Sequence, residues 1–185
     1  MALRGTHLRG ASHALLSLVG IVLREIAGYS LGRKTSLILT LGPSARHFRK
    51  YIPVHLQAYV VEDNATIREN LIGTLEELTC VHVAGATATE EEALAWLGEN
   101  AQKWDIVIVD LFLKQGSGMR IAQHVKRARP AQKIVVFSNY INASVRKRCA
   151  QIGVDAVFDK STEIDALVDY CAHQCFLVAQ QIQAA

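Results

Sequence analysis

The sequence is organised around one short apolar run that ends in a carboxylate. The run Ile106–Val109 is followed directly by Asp110 and then by a glycine-containing loop, 111–118. A run this short, unbroken and rich in β-branched residues is typical of a buried strand in a parallel sheet. Ligands of open α/β sheets bind at the carboxyl ends of such strands. The position of Asp110 therefore indicates that this carboxylate lies at a functional edge.

Strand and helix patterns alternate over residues 56–185. The predicted strands cover residues 58–61, 81–84, 106–109, 134–137 and 156–158. The predicted helices cover residues 66–78, 90–100, 117–128, 142–152 and 164 to about 181. Thr66 with Glu69, and Thr89 with Glu92, predict capping boxes at the first two helices. Five such units predict an α/β fold, a doubly wound five-stranded parallel sheet with right-handed crossovers.

Polar side chains follow four of the five predicted strands. Glu62 and Asp63 follow the first strand and Asp110 the third, while Ser138 follows the fourth and Lys160 the fifth. Because the carboxyl ends of parallel strands share one edge, we expect these side chains to lie together. Three neighbouring carboxylates favour a cation, and Mg²⁺ suits them because it binds few protein oxygens and bridges to phosphate. Lys160 would add a compact ammonium, and Ser138 a hydroxyl donor.

In the order and spacing of these motifs, residues 56–181 resemble the receiver domain of response regulators, the phosphorylatable half of two-component signalling. The motifs are Val61-Glu62-Asp63-Asn64, Val109-Asp110-Leu111-Phe112-Leu113, Gly116-Ser117-Gly118, Phe137-Ser138-Asn139, and Gly153-Val154-Asp155 through Asp159-Lys160-Ser161. The resemblance covers about two thirds of the chain. It implies a flavodoxin-like (βα)5 fold with strand order 2-1-3-4-5.

The resemblance also implies a role for each site residue. Asp110 would accept a phosphoryl group from a histidine kinase or a phosphotransfer protein. Ser138 would reorient towards the phosphate, and Lys160 would contact the same oxygens. The implied Mg²⁺ ligands are Glu62, Asp63, Asp110 and the backbone carbonyl of Phe112.

Two positions depart from the family pattern. Family members often carry Tyr or Phe three residues before the lysine, where this chain has Val157. The neighbouring Phe158 is predicted to point to the other face of the strand, so Tyr140 becomes the candidate for the switch aromatic. Ser161 stands where proline often follows the lysine, so a cis peptide bond is not assumed there.

The first 55 residues differ in character from the rest of the chain. They carry eight basic residues against one acid, whereas residues 56–185 carry twelve basic and sixteen acidic residues, so the overall charge is only +3. Such an asymmetry is typical of a tail beside a domain, here 1–55 and 56–185. Four interpretations compete: a secretory signal, a mitochondrial transit peptide, a basic arm for nucleic acid or acidic lipid, and a poorly structured extension or misassigned start. The last is preferred.

The cysteines and the apolar runs bear on the compartment. Four cysteines without a convincing secretory signal predict reduced thiols and a cytoplasmic protein. Cys171, His173 and Cys175 have a spacing that could suit a metal, but both thiols fall on the apolar stripe of the last helix, which favours core packing. No apolar run reaches the roughly 18 residues of a membrane helix, so no membrane partner is expected.

These features predict a stand-alone receiver, a phosphorylation-dependent switch rather than an enzyme. The added phosphate would shift the fourth helix, fifth strand and fifth helix between two arrangements. The expected partners are a histidine kinase or phosphotransfer protein and a downstream protein target. A homodimer is left open, and no nucleic acid is expected on the receiver itself.

Two alternatives of other classes remain. A phosphohydrolase of the haloacid dehalogenase type also forms an aspartyl phosphate after a parallel strand. That family places a second acid two residues beyond the nucleophile, where this chain has Phe112. The other alternative is a non-phosphorylated interaction module with the same fold. The presence of all three acids, Glu62, Asp63 and Asp110, argues against it.

Overall fold

The computed structural model describes residues 55–184, so the interpretations of the basic segment before them lie outside the described residues. Five strands alternate with five helices in this part of the chain. The strands are β1 (Leu56–Val61), β2 (Val81–Thr87), β3 (Ile106–Val109), β4 (Lys133–Ser138) and β5 (Ala156–Asp159). The helices are α1 (Ala65–Leu78), α2 (Glu90–Glu99), α3 (Gly118–Ala128), α4 (Ala143–Ile152) and α5 (Ile164–Ala184). None of these helices is long and apolar enough to cross a lipid bilayer.

The sheet has the predicted strand order, β2-β1-β3-β4-β5, and its four pairings are all parallel. A register shift between Ala58 and Tyr59 interrupts the pairing of β1 with β2. β3 lies at the centre, and each of its four residues is buried. The doubly wound, flavodoxin-like α/β fold is therefore confirmed. Its parallel strands bring their carboxyl ends to one edge of the sheet.

Each face of the sheet is covered by its own set of helices. Val107 and Val109 of β3 pack in a cluster with side chains of α2, α3 and α4. Ile106 and Ile108 face the other way, into a cluster with side chains of α1 and α5. The alternation follows from the two-residue period of a strand, and it gives β3 apolar surroundings on both sides. The strand is thus a rigid support for the residue that follows it.

β5 shows the same alternation at Val157, where the family often has an aromatic residue, and at the neighbouring Phe158. Val157 packs against the α2–α4 cluster, whereas Phe158 packs against the α1–α5 cluster, so the prediction that they lie on opposite faces is confirmed. Phe158 makes an edge-to-face contact with Tyr170 of α5, with ring centroids 5.8 Å apart. The peptide bond before Ser161 is trans, as are the other bonds of the described residues.

The helix caps agree only in part with the predicted capping boxes. At α2, the Thr89 hydroxyl accepts a hydrogen bond from the Glu92 amide, but the Glu92 carboxylate bonds the Thr87 hydroxyl. At α1 the prediction of Thr66 as the cap is wrong. The helix begins one residue earlier, and the Asn64 side chain accepts from the Ile67 amide at 3.2 Å. Asparagine is a stronger N-cap than threonine, which explains the earlier start.

One pair of cysteines is a disulfide, so the prediction of reduced thiols is wrong for Cys80 and Cys175. Their Cα atoms lie 6.0 Å apart, because α5 passes close to the start of β2. Cys175 and Cys171 are both buried, as the apolar stripe predicts, and His173 is exposed. Cys149 and Cys171 are free thiols. Burial raises the pKa of Cys171 to about 12, which keeps this thiol protonated and unreactive.

Candidate functional site

Four strands deliver polar side chains to the carboxyl edge of the sheet. Glu62 and Asp63 follow β1, Asp110 follows β3, Ser138 ends β4, and Lys160 follows β5. The five side chains predicted from the sequence to lie together do so, and the contacts below join them. A backbone bond from the Asp110 amide to Val61 O, 2.9 Å long, continues the sheet ladder to the site itself.

Asp110 is only 7% exposed, and both of its carboxylate oxygens have partners. Oδ1 accepts hydrogen bonds from the Ser138 hydroxyl at 2.5 Å and from the Phe112 amide at 3.1 Å. Oδ2 accepts from Nζ of Lys160 at 2.5 Å. The two oxygens thus accept from a hydroxyl, a backbone amide and an ammonium. The carboxylate is therefore held in one orientation.

Lys160 joins the two buried carboxylates of the site. Its ammonium pairs with Oε2 of Glu62 as well as with Asp110, and all three side chains are almost entirely buried. The Lys160 amide also donates to Ser138 O at 3.1 Å, which ties the end of β5 to the end of β4. Loss of one partner from such a group leaves an uncompensated buried charge. Lys160 thus offsets the negative charge of the strand ends.

The acidic cluster offers the type of ligand that a magnesium ion takes. One carboxylate oxygen from each of Glu62, Asp63 and Asp110 lies within 4.8 Å of the others. Opposite ligands of an octahedral Mg²⁺ ion lie about 4.2 Å apart, at about 2.1 Å from the metal, so the three oxygens are close enough for a small movement to bring them onto one ion. Their chemistry suits a hard divalent cation, the kind of ion that the family implies.

The loop after β3 contributes backbone groups to the cluster. The Lys114 amide donates to Oδ2 of Asp63 at 2.9 Å, and Nζ of Lys114 lies 3.7 Å from the same oxygen. Phe112 lines the cleft beside Asp110, with its side chain turned outwards so that 59% of the residue is exposed. A phosphohydrolase of the kind considered above would need an acid at this position.

Tyr140 lines the same cleft from the loop after β4 and is 84% exposed. Its φ angle of 60° lies in the left-handed region, which bulky side chains rarely adopt. Such conformations cost free energy and often occur at ligand sites and switch regions. Tyr140 therefore remains the candidate for a mobile aromatic near Asp110.

Two basic residues with contacts at functional positions were not singled out from the sequence. Arg68 of α1 donates from its guanidinium to Glu62 O at 2.6 Å. Arg146 of α4 donates to Val157 O at 2.7 Å and pairs with Glu163 at 2.8 Å. The start of a helix usually favours acidic side chains, so a basic residue there is unusual. This is the signal from which Arg68 and Arg146 could have been identified.

The matches to known proteins agree with this fold. Residues 58–172 match the family model of the response regulator receiver domain. Among curated proteins, the chain is 24% identical over 114 residues to the response regulator protein VraR of Staphylococcus aureus strain MW2. That alignment covers 62% of this chain and 54% of the relative, so the chain spans about half the length of the curated relatives it matches.

Solved structures show the same fold at low sequence identity. A CheY-like receiver domain protein from Methanospirillum hungatei has a TM-score of 0.59 at 21% identity, covering 68% of this chain and 98% of its own. A response regulator from Burkholderia pseudomallei, solved with a phosphorylated aspartic acid, a calcium ion and citrate, has a TM-score of 0.55 at 22% identity. Its alignment covers 70% of this chain and 71% of its own.

Proposed function

The chain belongs to the response regulator receiver family of two-component signalling, and from that premise we propose that Asp110 is its phosphoacceptor. The observation that carries the proposal is the carboxylate of Asp110, held between a hydroxyl and an ammonium beside two further carboxylates. An aspartyl phosphate in the Burkholderia pseudomallei relative supports this chemistry on the same fold.

In the proposed reaction, one carboxylate oxygen of Asp110 attacks the phosphorus of a phosphohistidine on a donor protein. The new O–P bond forms as the P–N bond breaks, and the histidine nitrogen keeps the electron pair and takes up a proton. Ser138 and Lys160 now bond the oxygens of Asp110. After transfer, the same two donors can bond phosphoryl oxygens and offset part of the added charge.

Glu62, Asp63, Asp110 and the backbone carbonyl of Phe112 would hold a magnesium ion at this edge. Bound Mg²⁺ would supply positive charge to the transferring phosphoryl group. The chain's own share is to hold these carboxylates close together. Lys160 bridges Glu62 and Asp110, and the Lys114 amide donates to Asp63.

A network centred on Arg146 suggests how the phosphorylated state would reach the surface. The guanidinium of this α4 residue bonds Val157 O in β5 and the Glu163 carboxylate just before α5. The same carboxylate accepts from the Asp159 amide at 2.7 Å. A shift of α4 towards the phosphate would have to rearrange this network. A downstream protein that prefers one arrangement would read the phosphorylation state.

Phosphorylation by a small phosphodonor tests the acceptor. Wild type incubated with acetyl phosphate and Mg²⁺ should gain the mass of one phosphoryl group, and chelation of the metal should prevent it. The Asp110→Asn variant should gain nothing, because an amide is not an oxygen nucleophile of comparable strength. Asp169→Asn, an exposed residue of α5, is the matched control and should label like wild type.

Two results would count against the proposal. One is labelling of Asp110→Asn at the wild-type level. The other is wild-type protein that is folded and still unlabelled with Mg²⁺ present, which would favour the non-phosphorylated interaction module. Turnover of a small phosphoester such as p-nitrophenyl phosphate would instead favour the phosphohydrolase.

A further inference from the structure

Glu90, the first residue of α2, is a buried carboxylate outside the acceptor site. It is 7% exposed, whereas Glu91 and Glu92, which follow it in the same acidic turn, are exposed. Burying a carboxylate is costly unless hydrogen bonds and opposite charge compensate it. The contacts that offset the cost of burying the Glu90 carboxylate therefore indicate its structural role.

Those contacts come from the segment that links β3 to α3 and from the first turn of α3. Oε2 of Glu90 accepts from the Ser117 amide at 2.8 Å, and Oε1 pairs with Nε of Arg120 at 3.1 Å. The Glu90 amide donates to Gln115 O at 3.2 Å, and Thr89 forms a parallel bridge with Gln115. The start of α2 thus holds residues 115–120 by backbone and side chain together.

Gly116 shows how closely the two segments approach. It lies between the two loop residues that Glu90 binds, and its φ angle of +94° is one that residues with a side chain rarely adopt. A Cβ at this position would overlap the Cβ of Glu90 and lie 2.7 Å from its Oε2. The loop therefore packs directly on Glu90.

The same loop carries the backbone groups that face the acidic cluster. Two residues before Gly116, the Lys114 amide donates to Asp63, and the Phe112 amide donates to Asp110. At the other end, the Gly118 amide donates to Leu111 O at 3.3 Å. Residues 112–114, which carry both of the amides that bond the acidic cluster, thus lie between Asp110 and the part of the loop that Glu90 holds.

We propose that Glu90 is a positioning residue that sets the affinity of the acidic cluster for Mg²⁺ by holding the 112–117 loop in its binding geometry. The proposal rests on the proposed function of that cluster. A loop that is ordered before the metal arrives loses less conformational freedom on binding. Outer partners that orient metal ligands typically change metal affinity 10- to 100-fold. Glu90 acts one step further out, so the lower end of that range is expected.

The test compares Glu90→Ala, Glu90→Gln and the exposed control Glu91→Ala. Calorimetry and NMR titration of the unphosphorylated protein give the Mg²⁺ dissociation constant, and hydrogen exchange reports the Lys114 and Ser117 amides. We expect about tenfold weaker binding and faster exchange in Glu90→Ala. Glu90→Gln keeps an acceptor for the Ser117 amide but loses the charge that pairs with Arg120. Its Mg²⁺ dissociation constant should therefore lie between those of wild type and Glu90→Ala. Glu91→Ala should match wild type.

Phosphorylation by acetyl phosphate provides a second readout. The half-saturating Mg²⁺ concentration of Glu90→Ala should rise by the same factor as the dissociation constant, and saturating Mg²⁺ should restore the wild-type rate. An unspecific structural defect would lower the maximal rate instead.

An unchanged Mg²⁺ constant in folded Glu90→Ala would overturn the proposal. If Glu90→Ala fails to fold, an unchanged Mg²⁺ dissociation constant in Glu90→Gln would overturn the proposal instead. Wild type that binds no Mg²⁺ would overturn the metal site of the proposed function first. Exchange at Lys114 and Ser117 in Glu90→Gln would then still decide whether Glu90 holds the loop.

Discussion

At the scale of single residues, Gly118 shows how little room surrounds Asp110. It is the buried first residue of α3 and lies between Ser117 and Arg120, which both contact Glu90. A Cβ at this position would overlap the backbone carbonyl of Asp110 and lie 2.9 Å from a methyl group of Val109. Helix α3 therefore begins directly against the residue that precedes the functional loop, and only glycine permits that approach.

Gly118→Ala should destabilise the protein by about 1–3 kcal/mol, because the obstacle is backbone that can yield only by moving Asp110. Gly73→Ala is the matched control. Gly73 is exposed within α1 with open space around it, so alanine there should stabilise by about 0.5–1 kcal/mol. Urea unfolding measures both. A Gly118→Ala variant as stable as wild type would contradict the described approach of α3.

The individual residues of the site were largely predictable, because their chemistry depends on strand ends. Once a β-branched run marks a parallel strand, the next residue must lie at the carboxyl edge, and Asp110 follows this rule. Glu90 could not be predicted in the same way. Its burial depends on how closely the start of α2 approaches a loop 27 residues away in sequence, and an acidic first turn usually stays solvated.

At the scale of secondary-structure elements, Asp155 connects three of them. Its Oδ2 accepts from the Ile134 amide of β4 at 2.9 Å, and its own amide donates to Ile134 O at 2.9 Å. Lys133 of β4 and Lys126 of α3 pair with its carboxylate at 3.0 and 3.4 Å. Burial alone would raise the pKa of Asp155, but these bonds and charges outweigh it and hold the pKa below its usual range.

Asp155→Asn should cost about 1–3 kcal/mol of stability at pH 7, through loss of the two ion pairs and weaker bonding to Ile134. The folded pKa is depressed, so the carboxylate's contribution is fully present above the unfolded pKa of about 3.9 and is lost as the pH falls through the folded value. The difference from wild type should therefore shrink below about pH 4. Urea unfolding at several pH values measures it, and a constant difference would contradict the assignment.

The elements themselves were predicted well where the pattern is strong and less well where tertiary pairing decides. β3 has the predicted bounds because four β-branched residues define it. β2 continues to Thr87, three residues beyond its prediction. Ala84, Gly85 and Ala86 have weak strand preference, and pairing with β1 extends the strand over them. The Asn64 cap was missed because two capping signals lie within three residues of each other.

At the scale of the whole molecule, the Cys80–Cys175 disulfide adds a covalent bond to a fold that the sequence otherwise predicts. The two cysteines are 95 residues apart. No local spacing pairs them, since their proximity arises only once α5 has packed beside β2. Topology could be predicted from the alternation of elements, whereas this contact depends on the exact placement of the last helix.

Reduction of the disulfide should lower the free energy of unfolding by up to about 4–5 kcal/mol, the loop-closure estimate for a loop of this length. Urea unfolding with and without dithiothreitol measures the change. The Cys80→Ala/Cys175→Ala double variant should be destabilised and should no longer respond to dithiothreitol. Four titratable thiols in unfolded wild type kept without reductant, where two are expected, would contradict the bond.

The disulfide also divides the site between two topological parts of the chain. Residues 80–175 form a covalent ring that carries Asp110, Ser138 and Lys160, whereas Glu62 and Asp63 lie on the chain outside it. β1 inserts between β2 and β3, which both belong to the ring. A single protease cut between Cys80 and Cys175 would leave one covalently linked molecule. A single cut between Asn64 and Thr79 would instead separate Glu62 and Asp63 from the ring, so that only the non-covalent pairing of the sheet would hold them beside Asp110.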